Sequence, residues 1–320
     1  MARFPWLQTG ADRLITRRFA GAKSHHEQLE KPLVIAHLTD QHFGPATPHE
    51  LQLEAVRRVN AAKPDLVVLT GDYVAHSLAH LDEIEEVLSG LHGPALAVLG
   101  NHDHWTGPKE VRRALERSNI EVLENAWTER TYRGQKIQIV GVDDAFTAHA
   151  DSEKATKGLI RGVPTLGLSH VGEEADALWH SGVPLVLSGH THSGQIAMGS
   201  MHRVLMGHLA GHRYVHGLYG QREGADEGAL YVSAGIGSSR FGLRLGERAR
   251  PEVALFDLGL APGSLDEPDV EQAPIHGRVV SKKTLKRRHK DALKKQRARL
   301  AEHRRAFRER FGMDPEDYDL

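Results

Sequence analysis

Short apolar runs recur along the chain, and five of them end in residues able to bind a metal. Residues 33–38 lead into Thr39-Asp40-Gln41-His42, and 66–69 into Thr70-Gly71-Asp72. Residues 95–99 lead into Gly100-Asn101-His102-Asp103-His104, 166–168 into Ser169-His170, and 185–187 into Ser188-Gly189-His190-Thr191-His192. Similar runs stand at 137–140 and 230–232, with helix-like stretches at 48–62, 108–118 and 173–180. Runs this short suit strands buried on both faces, and their alternation with helices predicts an α/β fold. Residues 203–258 read as richer in strands. The carboxyl ends of strands are where such folds assemble sites. Five strands bringing Asp, Asn or His to one edge therefore constrain fold and chemistry together.

The 320 residues suffice for one large core, and 40% hydrophobic with 26% charged residues is ordinary for a globular chain. No apolar run approaches the roughly 18 residues of a membrane-spanning helix. The N-terminal stretch lacks the apolar core and cleavage site of a secretory signal, so a cytoplasmic protein is expected. The absence of cysteine excludes disulfides, thiolate nucleophiles and Cys-type zinc sites, whereas 22 histidines raise imidazole ligation. The net charge of −1 conceals an asymmetry: residues 281–310 hold fourteen Lys/Arg against three Asp/Glu, a local +11 that leaves −12 elsewhere. The expected organisation is an irregular, loosely docked N-terminal arm (1–30), a body (31–260), a Pro- and acid-rich linker with no core to contribute (261–280) and a basic helical tail (281–320). Leu285, Leu293, Leu300 and Phe307 make too narrow a stripe for a strong coiled coil, and no internal repeat is present.

Each polar block is weak alone, although Gly-Asn-His-Asp is expected by chance only on the order of 10⁻³ times in a chain this poor in Asn. Together the blocks offer two carboxylates, an amide oxygen and several imidazoles. Such a mixed O/N set suits Mn, Fe or Zn better than Ca or Mg. Two ions about 3.5–4 Å apart can hold a bridging hydroxide and clamp a phosphoryl group. One carboxylate must then bridge them with both oxygens, and Asp72, alone in its loop, is the natural candidate.

Asp40-Gln41-His42, Gly71-Asp72, Gly100–Asp103, His170 and Gly189–His192 stand in the order of the calcineurin-like metallophosphoesterase pattern, and over about residues 33–258 the chain resembles that family. The resemblance implies a four-layer α-β-β-α sandwich, to which the basic helical tail would be an extension. It implies that Asp40, His42 and His192 bind one metal, that Asn101, His170 and His190 bind the second, and that Asp72 bridges. His102 would stand near the leaving oxygen as acid or charge stabiliser, with Asp103 orienting it. The Gly-His-Thr-His-Ser-Gly-Gln stretch, Gly141-Val142-Asp143-Asp144, residues 231–237 and Arg250-Pro251-Glu252 look like the YaeI/YkuE-type bacterial phosphodiesterase branch, often membrane-associated. Ser193 departs from the usual Gly there, and the N-terminal membrane segment that many relatives carry is not expected from residues 1–30.

The expected activity is hydrolysis of a phosphodiester, phosphomonoester or pyrophosphate by metal-bridging hydroxide attack, with two divalent ions of Mn, Fe or Zn and Mn the ion expected to support activity. A lipid-linked or nucleotide substrate such as UDP-2,3-diacylglucosamine falls in that class. The alternatives are a nuclease whose tail holds nucleic acid and a non-catalytic scaffold of the same fold. The basic run from Lys282 to Arg310 reads as a solvated face, or as a contact for an anionic membrane surface or nucleic acid, which would put the protein peripherally at the inner membrane face. His104 and Trp105 either line the cleft or pack. His202, His208, His212 and His216 read as surface or cleft residues, His37 as a core imidazole, and Asp143 and Asp144 as turn caps.

Overall fold

The computed structural model describes residues 10–192, 211–224, 228–238, 244 and 246–275, with Arg287, Lys290, Lys294, Arg297, Ala298, Ala301, Arg305 and Arg308, which are helical and exposed. Two six-stranded sheets form its centre. The first has the order β1 (Ile15–Ala20), β12 (Glu252–Leu258), β2 (Leu33–Leu38), β3 (Leu66–Thr70), β4 (Ala95–Val98), β5 (Ile120–Val122). The second runs β10 (Gly217–Gly220), β11 (Ala229–Val232), β9 (Leu185–Ser188), β8 (Thr165–Ser169), β7 (Gln135–Val142), β6 (Ala126–Tyr132). Strands β2, β3, β4 and β5 run parallel to one another, as do β11, β9, β8 and β7, whereas β12, β10 and β6 pair antiparallel with β2, β11 and β7.

Period-two side-chain alternation explains why the strands read as unbroken apolar runs. Leu33, Ile35, Leu66, Val68, Leu96 and Val98 meet Ile137, Ile139, Leu166, Leu168, Leu185 and Leu187 between the sheets. The alternate residues Ala36, Leu38, Val67, Leu69 and Ala97 face helices α2 (His49–Ala62), α3 (Leu81–Leu88) and α5 (Pro108–Arg117). On the far side Val140, Val142 and Val186 pack under α6 (Ser152–Thr156) and α7 (Ala175–His180). Short helices α1 (Lys23–Gln28) and α4 (Asn101–Thr106) also stand in the body. The four layers match the expected sandwich.

Three stretches differ from their sequence reading. Residues 15–20 are no loose arm: β1 pairs in parallel with β12, Phe19 is fully buried, and Arg17 and Arg18 pair with Glu252 (2.7 Å) and Asp257 (2.5 Å). The arginines hid the strand because their partners lie far along the chain. The acid-rich residues 265–275 form a strap along β10: Glu267 and Glu271 bind Arg222, Asp269 binds Arg17, and the Gln272 N–H donates to Leu218. Strands β6 and β7 form a hairpin turned by Arg133 and Gly134, both left-handed as a two-residue loop requires. Polar, half-exposed β6 carries no apolar run to announce it.

Candidate metal centre

All five sequence blocks leave the carboxyl ends of their strands and meet over one edge of the sandwich. The donor atoms of Asp40, His42, Asp72 and His192 lie within 4.8 Å of one another, as do those of Asp72, His170 and His190. Each group draws on both sheets, and Asp72 belongs to both groups. Its Oδ2 is 3.6 Å from His42 Nε2 and 3.4 Å from His170 Nε2. Its Oδ1 instead accepts the backbone N–H of His102 at 2.8 Å. Both groups thus face one oxygen of Asp72, not one oxygen each as expected. Asn101 Oδ1 lies 3.2 Å from His170 Nε2, beside the second group.

The loops reach this geometry through uncommon backbone. Asp40, His42, Asp72, His190 and His192 all have φ between 46° and 73°. Non-glycine residues adopt that region at a cost of about 1–2 kcal/mol each, and such outliers cluster at functional sites. The glycines of the blocks allow close approach: a Cβ on Gly100 would stand 2.3 Å from Asp72 Oδ1, and one on Gly189 2.1 Å from Asp40 Oδ2.

The arrangement fits cations. The Nδ1–H of His170 donates to the Thr70 carbonyl (2.7 Å), so its Nε2 faces inward; His42 leans on Val74 in the same way at 3.4 Å. Burial, with a smaller contribution from Asp72, pushes the Asp40 carboxyl up to about 7. Burial would lower His170, yet the Asp72 carboxylate outweighs it and raises the imidazole to about 10. A proton on His170 thus supplies the positive charge that these buried carboxylates lack. Burial, reinforced by His102, keeps His42 neutral with its pKa lowered to about 3, and burial also lowers His190 and His192. His192 carries a constraint of its own. Arg244 can only donate, and its guanidinium is 3.2 Å from His192 Nδ1, so the ring proton sits on Nε2, 2.8 Å from His42 Nε2. A cation held by His42 and His192 would take the place of that proton, and Arg244 would then have to release Nδ1.

His102 is half-buried above His42, ring centroids 4.7 Å apart. Its Nδ1–H donates to the Ala75 carbonyl, which fixes the ring and leaves Nε2 available. Asp103 does not orient it. Both Asp103 oxygens are taken by the backbone N–H groups of Asp72, Tyr73, Val74 and Gly100, at 2.8 to 3.2 Å. The carboxylate ties two ligand loops together, and the sequence reading assigned it the wrong neighbour because the two residues are adjacent.

Asp144 caps its turn by accepting from the Thr147 N–H, and Asp143 accepts the Asp144 N–H while pairing with His104 at 2.7 Å. His37 is buried against Thr70. His212 packs on His190, ring centroids 5.0 Å apart, whereas His216 is buried beside Glu252 (3.4 Å) and is not a surface residue. Ser193, His202 and His208 lie outside the described residues. Sequence reasoning missed Arg244, 3% exposed, which also donates to the carbonyls of Ala234 and Gly235. One arginine in an Arg- and Gly-rich stretch gives no signal that it turns inward.

Residues 33–194 match the model of the family described as calcineurin-like phosphoesterase. The chain is 29% identical over 265 residues to Phosphodiesterase YaeI of Escherichia coli (strain K12), covering 79% of this chain and 90% of that protein. It is 29% identical over 230 residues to the uncharacterized metallophosphoesterase YkuE of Bacillus subtilis (strain 168), covering 70% and 78%. Among solved structures, a 5'-nucleotidase precursor from Thermus thermophilus superposes with a TM-score of 0.44 at 17% identity, over 69% of this chain and 56% of that one.

Proposed function

The chain belongs to the calcineurin-like phosphoesterase family and is a hydrolase of phosphoric ester bonds, and from that premise we propose that it cleaves its ester at two divalent cations held between the sheets. The observation that carries this reading is Asp72, shared by two donor groups in one buried cleft. Asp40, His42 and His192 would hold one ion, Asn101, His170 and His190 would hold the other, and Asp72 would be the donor common to both. Mn, Fe or Zn suits this donor set, with Mn the first to test. When bound, the pair supplies an attacking water acidic enough to ionise near neutral pH and positive charge over the phosphoryl oxygens. His102, held by Ala75, presents Nε2 to the departing oxygen as proton donor or charge stabiliser. Asp103 acts only by holding the loops of Asp72 and Asn101 in register.

A phosphodiester is the first substrate class to examine, because a relative over most of the chain is called a phosphodiesterase. Phosphomonoesters, pyrophosphates and nucleotide or lipid-linked substrates remain in the class to be screened. No helix among the described residues is long and apolar enough to cross a membrane. The exposed basic residues Arg287, Lys290, Lys294 and Arg297 recur every three or four positions, which puts positive charge on one helix face. That face supports contact with an anionic membrane surface or a nucleic acid. In the nuclease reading, salt-sensitive nucleic-acid binding disappears when residues 281–311 are deleted.

Hydrolysis of bis-p-nitrophenyl phosphate and p-nitrophenyl phosphate by metal-free protein reloaded with Mn²⁺, beside Asp72→Asn, tests the proposal. Mn-dependent turnover that is lost in the variant, together with two bound ions per chain, is expected. A protein that binds no metal overturns the reading and leaves the scaffold.

A further inference from the structure

A belt of rings leads out of the cleft and back. His102 packs on Trp105 with ring centroids 5.1 Å apart, Trp105 stands edge-on to Phe146 at 5.8 Å, and Phe146 packs on His190 at 5.1 Å. The two apolar members therefore lie between the imidazole assigned to the departing oxygen and a donor assigned to the second ion. Both are partly exposed, while Asp40, Asp72 and His170 behind them are buried. Trp105 comes from α4 above the first sheet and Phe146 from the loop after β7 in the second. That loop is fixed. Asp144 accepts from both the N–H and the hydroxyl of Thr147 at 2.6 Å, Asp143 pairs with His104, and the His104 and His149 rings stack at 4.1 Å. Trp105 and Phe146 thus form a preformed wall, which avoids an ordering cost when a ligand meets it.

Resting on the phosphoesterase reading, we propose that Trp105 and Phe146 form a subsite for a planar aromatic substituent of the phosphoester, an aryl or nucleoside group. A substituent on a phosphorus placed beside His102 and His190 has this wall within reach, because both of its ends are those residues. The two rings meet at 73°, so they offer a face and an edge to a third ring, the geometries in which aromatic groups attract. Stacking of this kind tolerates any base or aryl ring. An acyl chain needs a long apolar track instead. Among the described residues the large hydrophobics left exposed are Leu53, Ile160 and Val270, which lie on α2, ahead of β8 and in the strap, not beside the wall.

Calorimetric titration of the Mn²⁺-reloaded full chain with methyl phosphate, phenyl phosphate and thymidine 5′-monophosphate tests the subsite. At least one of the two aromatic phosphates is expected to bind about tenfold tighter than methyl phosphate. In Trp105→Ala and in Phe146→Ala that advantage should fall below about threefold. Trp105→Phe guards against misfolding and should keep most of the advantage. A preference for phenyl phosphate alone identifies an aryl group, and one for thymidine monophosphate alone a nucleoside. Equal affinity for all three phosphates, or an advantage that survives both alanine substitutions, overturns the subsite. Failure of the phosphoesterase reading shows separately, as an absence of ester hydrolysis by the same loaded sample whatever the binding ratios.

Discussion

His102 and Asp103 are neighbours in sequence with different work. His102 touches the cleft with one nitrogen and the Ala75 carbonyl with the other, so His102→Ala should lower kcat on bis-p-nitrophenyl phosphate by about 10²–10⁴-fold while bound metal, measured by mass spectrometry, stays at two per chain. Asp103→Asn should do the reverse. It replaces a carboxylate that accepts four backbone N–H groups by an amide that can satisfy only part of them. Loss of about 2–4 kcal/mol in urea unfolding is expected, with metal loading weakened because the Asp72 and Asn101 loops drift apart. The donor residues themselves were legible from Asp-x-His, Gly-Asp, Gly-Asn-His-Asp, a lone His and Gly-His-x-His, since spacing within a loop survives folding. The partner of Asp103 was not, because backbone N–H groups leave no trace in a sequence. Neither was Arg244, whose inward turn depends on carbonyls ten residues upstream and on His192 across the cleft.

At the level of elements, apolar runs announced the strands buried between two layers and were silent about those at the margins. Strand β1 carries Arg17 and Arg18, β6 is half-exposed, and β5 is three residues long. Each takes its place from a neighbour already present. The strap shows the same logic with charge. Its glutamates read as a solvated linker, yet Arg222, 3% exposed, binds Glu267 with both terminal nitrogens and Glu271 with Nε. Arg222→Ala strands these carboxylates against the body, so residues 261–275 should become the first site cut in limited proteolysis, whereas the intact protein resists there. A destabilisation of about 3–5 kcal/mol is expected for breaking one side of a buried ion-pair network.

Across the whole molecule, two six-stranded sheets bury a shared apolar interior into which ionisable groups intrude. His25 is the clearest case. Burial lowers its pKa to about 4, and in the neutral ring Nε2–H donates to Thr165 while Nδ1 accepts from Ala22. The unfolded chain takes up the proton first, at the ordinary histidine value near 6.5, so this stability is present above about pH 6.5 and is lost as pH falls toward 4. The loss amounts to about 3 kcal/mol, and His25→Gln should shrink the difference in urea stability between pH 7 and pH 4.5 by about 2 kcal/mol when measured in EDTA. The donor groups add a mechanical consequence. Asp40, His42 and Asp72 hang from the first sheet, whereas His170, His190 and His192 hang from the second. A cation held across that seam would resist shear, because the sheets could not slide past one another without stretching its bonds to donors at one end of the sandwich. The apolar interior resists separation but offers little against a lateral slip, so the reactive end should also be the stiff end. Hydrogen exchange in β2, β3, β8 and β9 is expected to accelerate together when the ions are stripped, rather than in one sheet before the other.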